Sequence, residues 1–158
     1  MQALTAAGSP ATSGPLPNGR YAVIYPATFL AATGIGTAQL SLVFFATDAL
    51  RASPAQVGWL GAVFYLAYVT GCLGLQRCVA GVPPRLSILL TTTANVVLLS
   101  LLVWGRSLPL TFVLQALFGV SMSWFWPPLM GWMSNGIEGD RLNRVMGRFN
   151  LCWSVGAV

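Results

Sequence analysis

Apolar and polar positions in this chain separate into long blocks instead of alternating. No charged residue lies between Arg20 and Asp48, between Arg51 and Arg77, between Arg85 and Arg106, or between Arg106 and Glu138. Each interval is long enough for the roughly 20 apolar residues that cross a bilayer core. The pattern predicts four complete transmembrane helices, over residues 22–47, 54–75, 86–104 and 108–133, and the start of a fifth near Phe149. Helices of a soluble all-helical protein carry charges along one face, and these blocks carry none. The predicted fold class is therefore all-α, a polytopic transmembrane helix bundle of four complete spans plus the start of a fifth. Between the fourth and fifth spans, residues 134–148 read as a polar, glycine-punctuated loop.

Before the first block, residues 1–20 are rich in Ala, Ser, Thr, Gly and Pro, with Pro10, Pro15 and Pro17 spaced so that no continuous helix forms. We read them as a disordered cytoplasmic tail and residues 21–158 as the helical bundle. The tail lacks the basic stretch and 7–15-residue apolar core of a secretory signal.

Arginine placement orients the spans. Arg20, Arg77, Arg85, Arg141, Arg144 and Arg148 fall on one side of the predicted membrane, and Arg51 and Arg106 on the other. Short cytoplasmic loops carry the excess of basic residues, so the amino terminus and the 134–148 loop are expected inside. Ser53-Pro54-Ala55-Gln56 has the signature of a helix start: a serine cap, a proline at the first helical position and a glutamine placed to close a capping box. The outer connections are short, and consecutive spans are expected to be antiparallel neighbours.

Composition narrows the chemistry. Hydrophobic residues make up 56% of the chain and charged ones 7%, against about 25% charged in soluble domains. The net charge of +5 comes from eight scattered arginines without a lysine, which loop topology explains better than a nucleic-acid site. The three cysteines show no CxxC spacing and there is no histidine, so neither a metal site nor a cofactor is expected and the cysteines read as packing residues.

Polar groups inside a span are costly and turn toward other helices or toward water. The candidates are Gln39, Asn95, Gln115 and Asn150, with Tyr25, Tyr65 and Tyr68. Thr111, Gln115, Phe118, Met122 and Trp126 share one face of the fourth span at helical spacing. That face is suited to line a cavity, its amide orienting a solute while rings and thioether hold the apolar body; the competing reading is interhelical hydrogen bonding. Tyr65, Tyr68 and Cys72 form a similar stripe on the second span. Tyr21 and Tyr25, near a span end, are expected to anchor in the membrane interface. The substrate-binding candidates are thus Gln39, Tyr65, Gln115, Met122, Trp126 and Asn150. Small residues, among them Gly34, Gly36, Gly58, Gly61, Gly71, Gly74 and Gly119, permit close helix approach. Residues 153–158 are an apolar run too short to cross the membrane, so a longer gene product is expected.

The layout resembles the amino-terminal half of a major facilitator superfamily transporter over roughly residues 21–158. The resemblance rests on the cytoplasmic tail, the capped second span opening with Ser53-Pro54-Ala55-Gln56-Val57-Gly58, the basic loop that follows it, and Arg144-Val145-Met146-Gly147-Arg148-Phe149-Asn150 leading into the fifth span. Gly71-Cys72-Leu73-Gly74 is similar to the start of the family's Gly-x-Leu-x-Asp-Arg motif, but Leu75 and Gln76 occupy its Asp and Arg positions. Gln115 stands where many proton-driven members carry an arginine. The resemblance implies secondary active or facilitative transport of a small solute by alternating access in the cell membrane. It also implies conformational roles for Gly71, Gly74, Arg77, Arg85, Arg144, Gly147 and Arg148. The expected partners are a small-molecule solute, membrane lipids and the missing carboxy-terminal half of the same chain, with no nucleic acid. A small four-span subunit or oligomeric exporter is the alternative. A membrane-embedded enzyme fits less well, because Asp48, Glu138 and Asp140 lie at membrane edges with no nucleophile and base together.

Overall fold

The computed structural model describes residues 18–74 and 81–158, and the side chains from Tyr21 onward. The described residues form five helices and no strand: α1 (Asn18–Phe44), continued by a π-helical turn (Phe45–Ala49), α2 (Pro54–Gly74), α3 (Pro84–Trp104), α4 (Leu108–Ser134) and α5 (Gly139–Gly156). Four stretches are long and apolar enough to cross a membrane, Tyr21–Ala49, Pro54–Gly74, Pro84–Trp104 and Leu108–Ser134, in agreement with the four charge-free blocks. The expected tail falls almost wholly outside the described residues, as does Arg77.

Local chemistry accounts for the helix ends. At the end of α1 the Thr47 hydroxyl donates to the Val43 and Phe44 carbonyls, 3.0 Å in each case, and the Leu50 N–H donates to the Phe45 carbonyl at 3.2 Å, closing the wider turn. Arg51 then takes a φ of 55° and reverses the chain. The capping box of α2 forms as its sequence predicts: the Ser53 N–H donates to Gln56 Oε1 at 2.8 Å and the Gln56 N–H to Ser53 Oγ at 3.3 Å.

Pro127 and Pro128 lie inside α4 and do not end it. A proline has no N–H for the carbonyl four residues earlier, so Pro128 leaves the Trp124 carbonyl without its helical partner. Ser87 of α3 supplies one, its hydroxyl donating to that carbonyl at 2.8 Å. A proline-containing helix survives in lipid when a neighbouring side chain satisfies the freed backbone group in this way.

The sequence places residues 134–148 in a loop, whereas α5 begins at Gly139 and the connection shrinks to residues 135–138. Gly136 and Gly139 flank the reversal with φ of 76° and 58°, the left-handed region that favours glycine. The helix is amphipathic: Leu142, Val145, Met146 and Phe149 follow an i, i+3, i+4, i+7 pattern and pack against the core, while Arg144, Gly147 and Arg148 face outward. The charge density of this segment hid that period.

α4 is the hub. Of its most apolar window 44% is buried, compared with 11–17% in the other three spans. It packs on α2 and α3, while α1 packs on α5. Short connections do make consecutive helices antiparallel, but of the consecutive pairs only α3 and α4 are joined by extensive packing. The α2–α4 and α1–α5 pairs run parallel, each held close by glycines. A methyl group on Gly119 would meet the Phe64 backbone and Ala67, and one on Gly156 the Phe29 backbone and Ala32; Gly71 sits buried against Ser123. Gly34, Gly58, Gly61 and Gly74 have no such neighbour within 4 Å, so those glycines are not where the bundle closes.

Candidate functional site

The stripe predicted along α4 exists, and it divides into two parts. Thr111, Gln115, Phe118 and Met122 are buried, Gln115 with only 3% of its surface exposed. Gln115 Nε2 donates to Gln39 Oε1 on α1 at 2.9 Å. Two of the six substrate-binding candidates thus bind each other, 76 positions apart in the chain. Tyr21 makes a second α1–α4 link, its hydroxyl donating to the Met133 carbonyl at 3.3 Å. That carbonyl belongs to the last turn of α4, where no intrahelical donor reaches it. Tyr21 is 5% exposed and stacks on Tyr25 with ring centroids 6.1 Å apart, so it links the two helices at this end of the bundle.

Met122 lies between these two links and lines a cavity of about 180 Å³ with Phe118 and Phe125 of α4, Ile35 of α1 and Asn95 of α3. Asn95 Oδ1 is buried there without a hydrogen-bond partner.

Trp126, the last residue of the stripe, opens into a different space. A groove of about 490 Å³ lies where α2, α4 and α5 meet, walled by Tyr68, Trp126, Pro127 and Met130 and by Phe149, Asn150 and Trp153. The Trp126 ring packs edge-on against Trp153, centroids 4.7 Å apart, and against Phe149 at 6.1 Å, while Phe125 braces it from within its own helix at 4.9 Å. Edge-to-face pairs at such separations fix the ring planes that form the wall. Asn150 is exposed beside them and contributes the wall's one amide. With about 1.5 Å of rise per residue, Trp126 lies roughly 12 Å inside the end of α4. The groove therefore sits in the half of the bundle where α4 ends and α5 begins.

The structure thus joins Gln39 to Gln115, places Met122 in the core, and brings Trp126 and Asn150 to one groove. Tyr65 belongs to neither group: it is 67% exposed on α2, its ring edge-on to Phe64 at 5.1 Å. Phe149 and Trp153 are wall residues that the sequence reading missed. The signal was their spacing from Asn150 on an amphipathic helix, obscured by treating the segment before Phe149 as a loop. Of the residues given conformational roles, Gly71 is buried, while Gly74, Arg85, Arg144, Gly147 and Arg148 are exposed at the bundle end. The Arg148 guanidinium lies near the Tyr25 hydroxyl. Among the described residues no three His, Cys, Asp or Glu side chains converge as metal ligands, and Cys72 and Cys152 are free thiols.

Among the described residues, four apolar helices of spanning length, with α4 the most buried, define a multi-pass membrane protein with an aromatic groove at one end. The model of the Major Facilitator Superfamily matches residues 24–158. The chain belongs to that family, and is a membrane transporter of its type. No curated protein and no solved structure matches it.

Proposed function

We propose that this bundle is the amino-terminal half of a transporter in the cell membrane, with its amino terminus in the cytoplasm. In this reading a small solute crosses by alternating access against a second helical bundle of the same polypeptide. The observation that carries the reading is the groove at Trp126 and Asn150. Its volume of about 490 Å³ lies within the roughly 300–1,000 Å³ of small-molecule sites, and such sites combine apolar walls with a few polar groups, as here. Polar groups at membrane depth that face a water-accessible cavity mark solute pathways. Asn150 is exposed in the groove, whereas Gln39 and Gln115 satisfy each other. The described arginines fit the proposed orientation: Arg85, Arg141, Arg144 and Arg148 lie at the end where α3 and α5 begin, and Arg51 and Arg106 at the other.

Alternating access requires that a solute-contacting position be reachable from each side of the membrane in turn. A single cysteine is introduced as Asn150→Cys in a background lacking Cys72, Cys78 and Cys152, and labelled with an impermeant thiol reagent in inside-out and right-side-out vesicles. Ala52→Cys and Asn143→Cys serve as sidedness markers. We expect Asn150→Cys to react in both preparations at different rates, with each marker reacting in one only. No reaction at Asn150→Cys from either side refutes the site, and reaction of both markers from one side refutes the orientation.

A further inference from the structure

The groove also constrains what it can hold. This inference rests on the groove being the solute site. Its wall carries three rings, with Phe149 and Trp153 each edge-on to Trp126, and neither a carboxylate nor a basic group among Tyr68, Asn150 and the remaining lining residues. We infer that the part of the solute seated in this groove is uncharged, with a flat apolar body and a carbonyl-type acceptor, such as an aromatic amide.

An anion in the groove would lose hydration with no cation to replace it. A cation would gain the ring faces, but an isolated charge at membrane depth stays unfavourable without a counter-charge. A sugar stacks on indole, yet most of its hydroxyls would be left without partners, since the wall offers one amide, one phenol and two indole N–H groups. Asn150, exposed on the wall as its one amide, is the principal polar contact. An amide side chain both donates and accepts, and matches a ligand amide or ketone without any change of protonation.

The test uses the chain in lipid nanodiscs, with binding measured by equilibrium dialysis above that of empty nanodiscs. The probes are benzamide, benzoate, glucose and tetraethylammonium. We expect benzamide to bind, and benzoate, glucose and tetraethylammonium each to bind at least about tenfold more weakly. Trp153→Ala should weaken benzamide about two- to twelvefold, the range for removing one aromatic partner. Trp104→Phe, at an exposed position at the far end of α3, should change nothing. Asn150→Asp guards against simple misfolding: it should lose benzamide and gain tetraethylammonium, because it adds the missing counter-charge.

If benzoate, glucose or tetraethylammonium binds as tightly as benzamide and is weakened by Trp153→Ala, the solute class is overturned while the site stands. If no probe shows binding that Trp153→Ala or Asn150→Asp alters, the groove is not the solute site, and both readings fall.

Discussion

The α2–α4 contact is the most exacting piece of packing in the bundle, and Gly119 tests it. A methyl group at Gly119 would lie 3.1 Å from Ala67 Cβ and 3.2 Å from the Phe64 carbonyl carbon, with the Phe64 carbonyl oxygen closer still. These atoms are fixed to the backbone of α2, so no side-chain rotation relieves the overlap. Carbon atoms pack best at about 3.5–4.0 Å, so α2 must retreat by roughly 0.5–1 Å, which forfeits a quarter to a half of the dispersion energy of each affected contact. Overpacking of this kind costs about 1–3 kcal/mol. Replacing glycine by alanine inside a helix also returns about 1 kcal/mol of helix propensity. The measurement should therefore be a difference against Gly61→Ala, a position on α2 with nothing within 4 Å, where the propensity gain is the same and the overlap is absent. Reversible unfolding in mixed micelles, followed by circular dichroism, should place Gly119→Ala about 1–3 kcal/mol below Gly61→Ala. Equal stabilities for the two variants would show that α2 and α4 are not held at backbone contact, and would remove the basis for treating α4 as the hub.

Two further outcomes follow from hydrogen bonds across helices. A double-mutant cycle of Gln39→Leu and Gln115→Leu should give a coupling energy of about 0.6–1.7 kcal/mol, the range for interhelical bonds in membranes; additive effects would mean that the amides do not pair, and would return Gln115 to the solute-binding candidates. Ser87→Ala should destabilise the bundle by a similar amount, about 0.6 kcal/mol or more, because it strands the Trp124 carbonyl that Pro128 has already freed. Pro128→Ala should reduce that loss by restoring an N–H to the carbonyl, and an unchanged effect of Ser87→Ala in the Pro128→Ala background would refute this account of how α4 tolerates its prolines.

Much of this architecture is readable from local sequence. Four charge-free blocks bounded by arginines and acidic residues define four spans, because a charge in hydrocarbon is expensive wherever the helix is placed. The Ser53–Gln56 cap needs only four neighbouring residues, and the arginine partition needs only the order of the loops. Which helices touch was not legible, since lipid-facing and helix-facing positions are equally apolar in a membrane and hydrophobicity cannot tell one face from another. Gly58 and Gly61 look in sequence like Gly119 and Gly156, yet only the latter pair meets a neighbouring backbone. The tertiary structure alone paired Gln39 with Gln115 and left Asn150 open beside Trp126 and Trp153. Those pairings depend on distances between residues far apart in the chain, and no periodicity within a single helix encodes them.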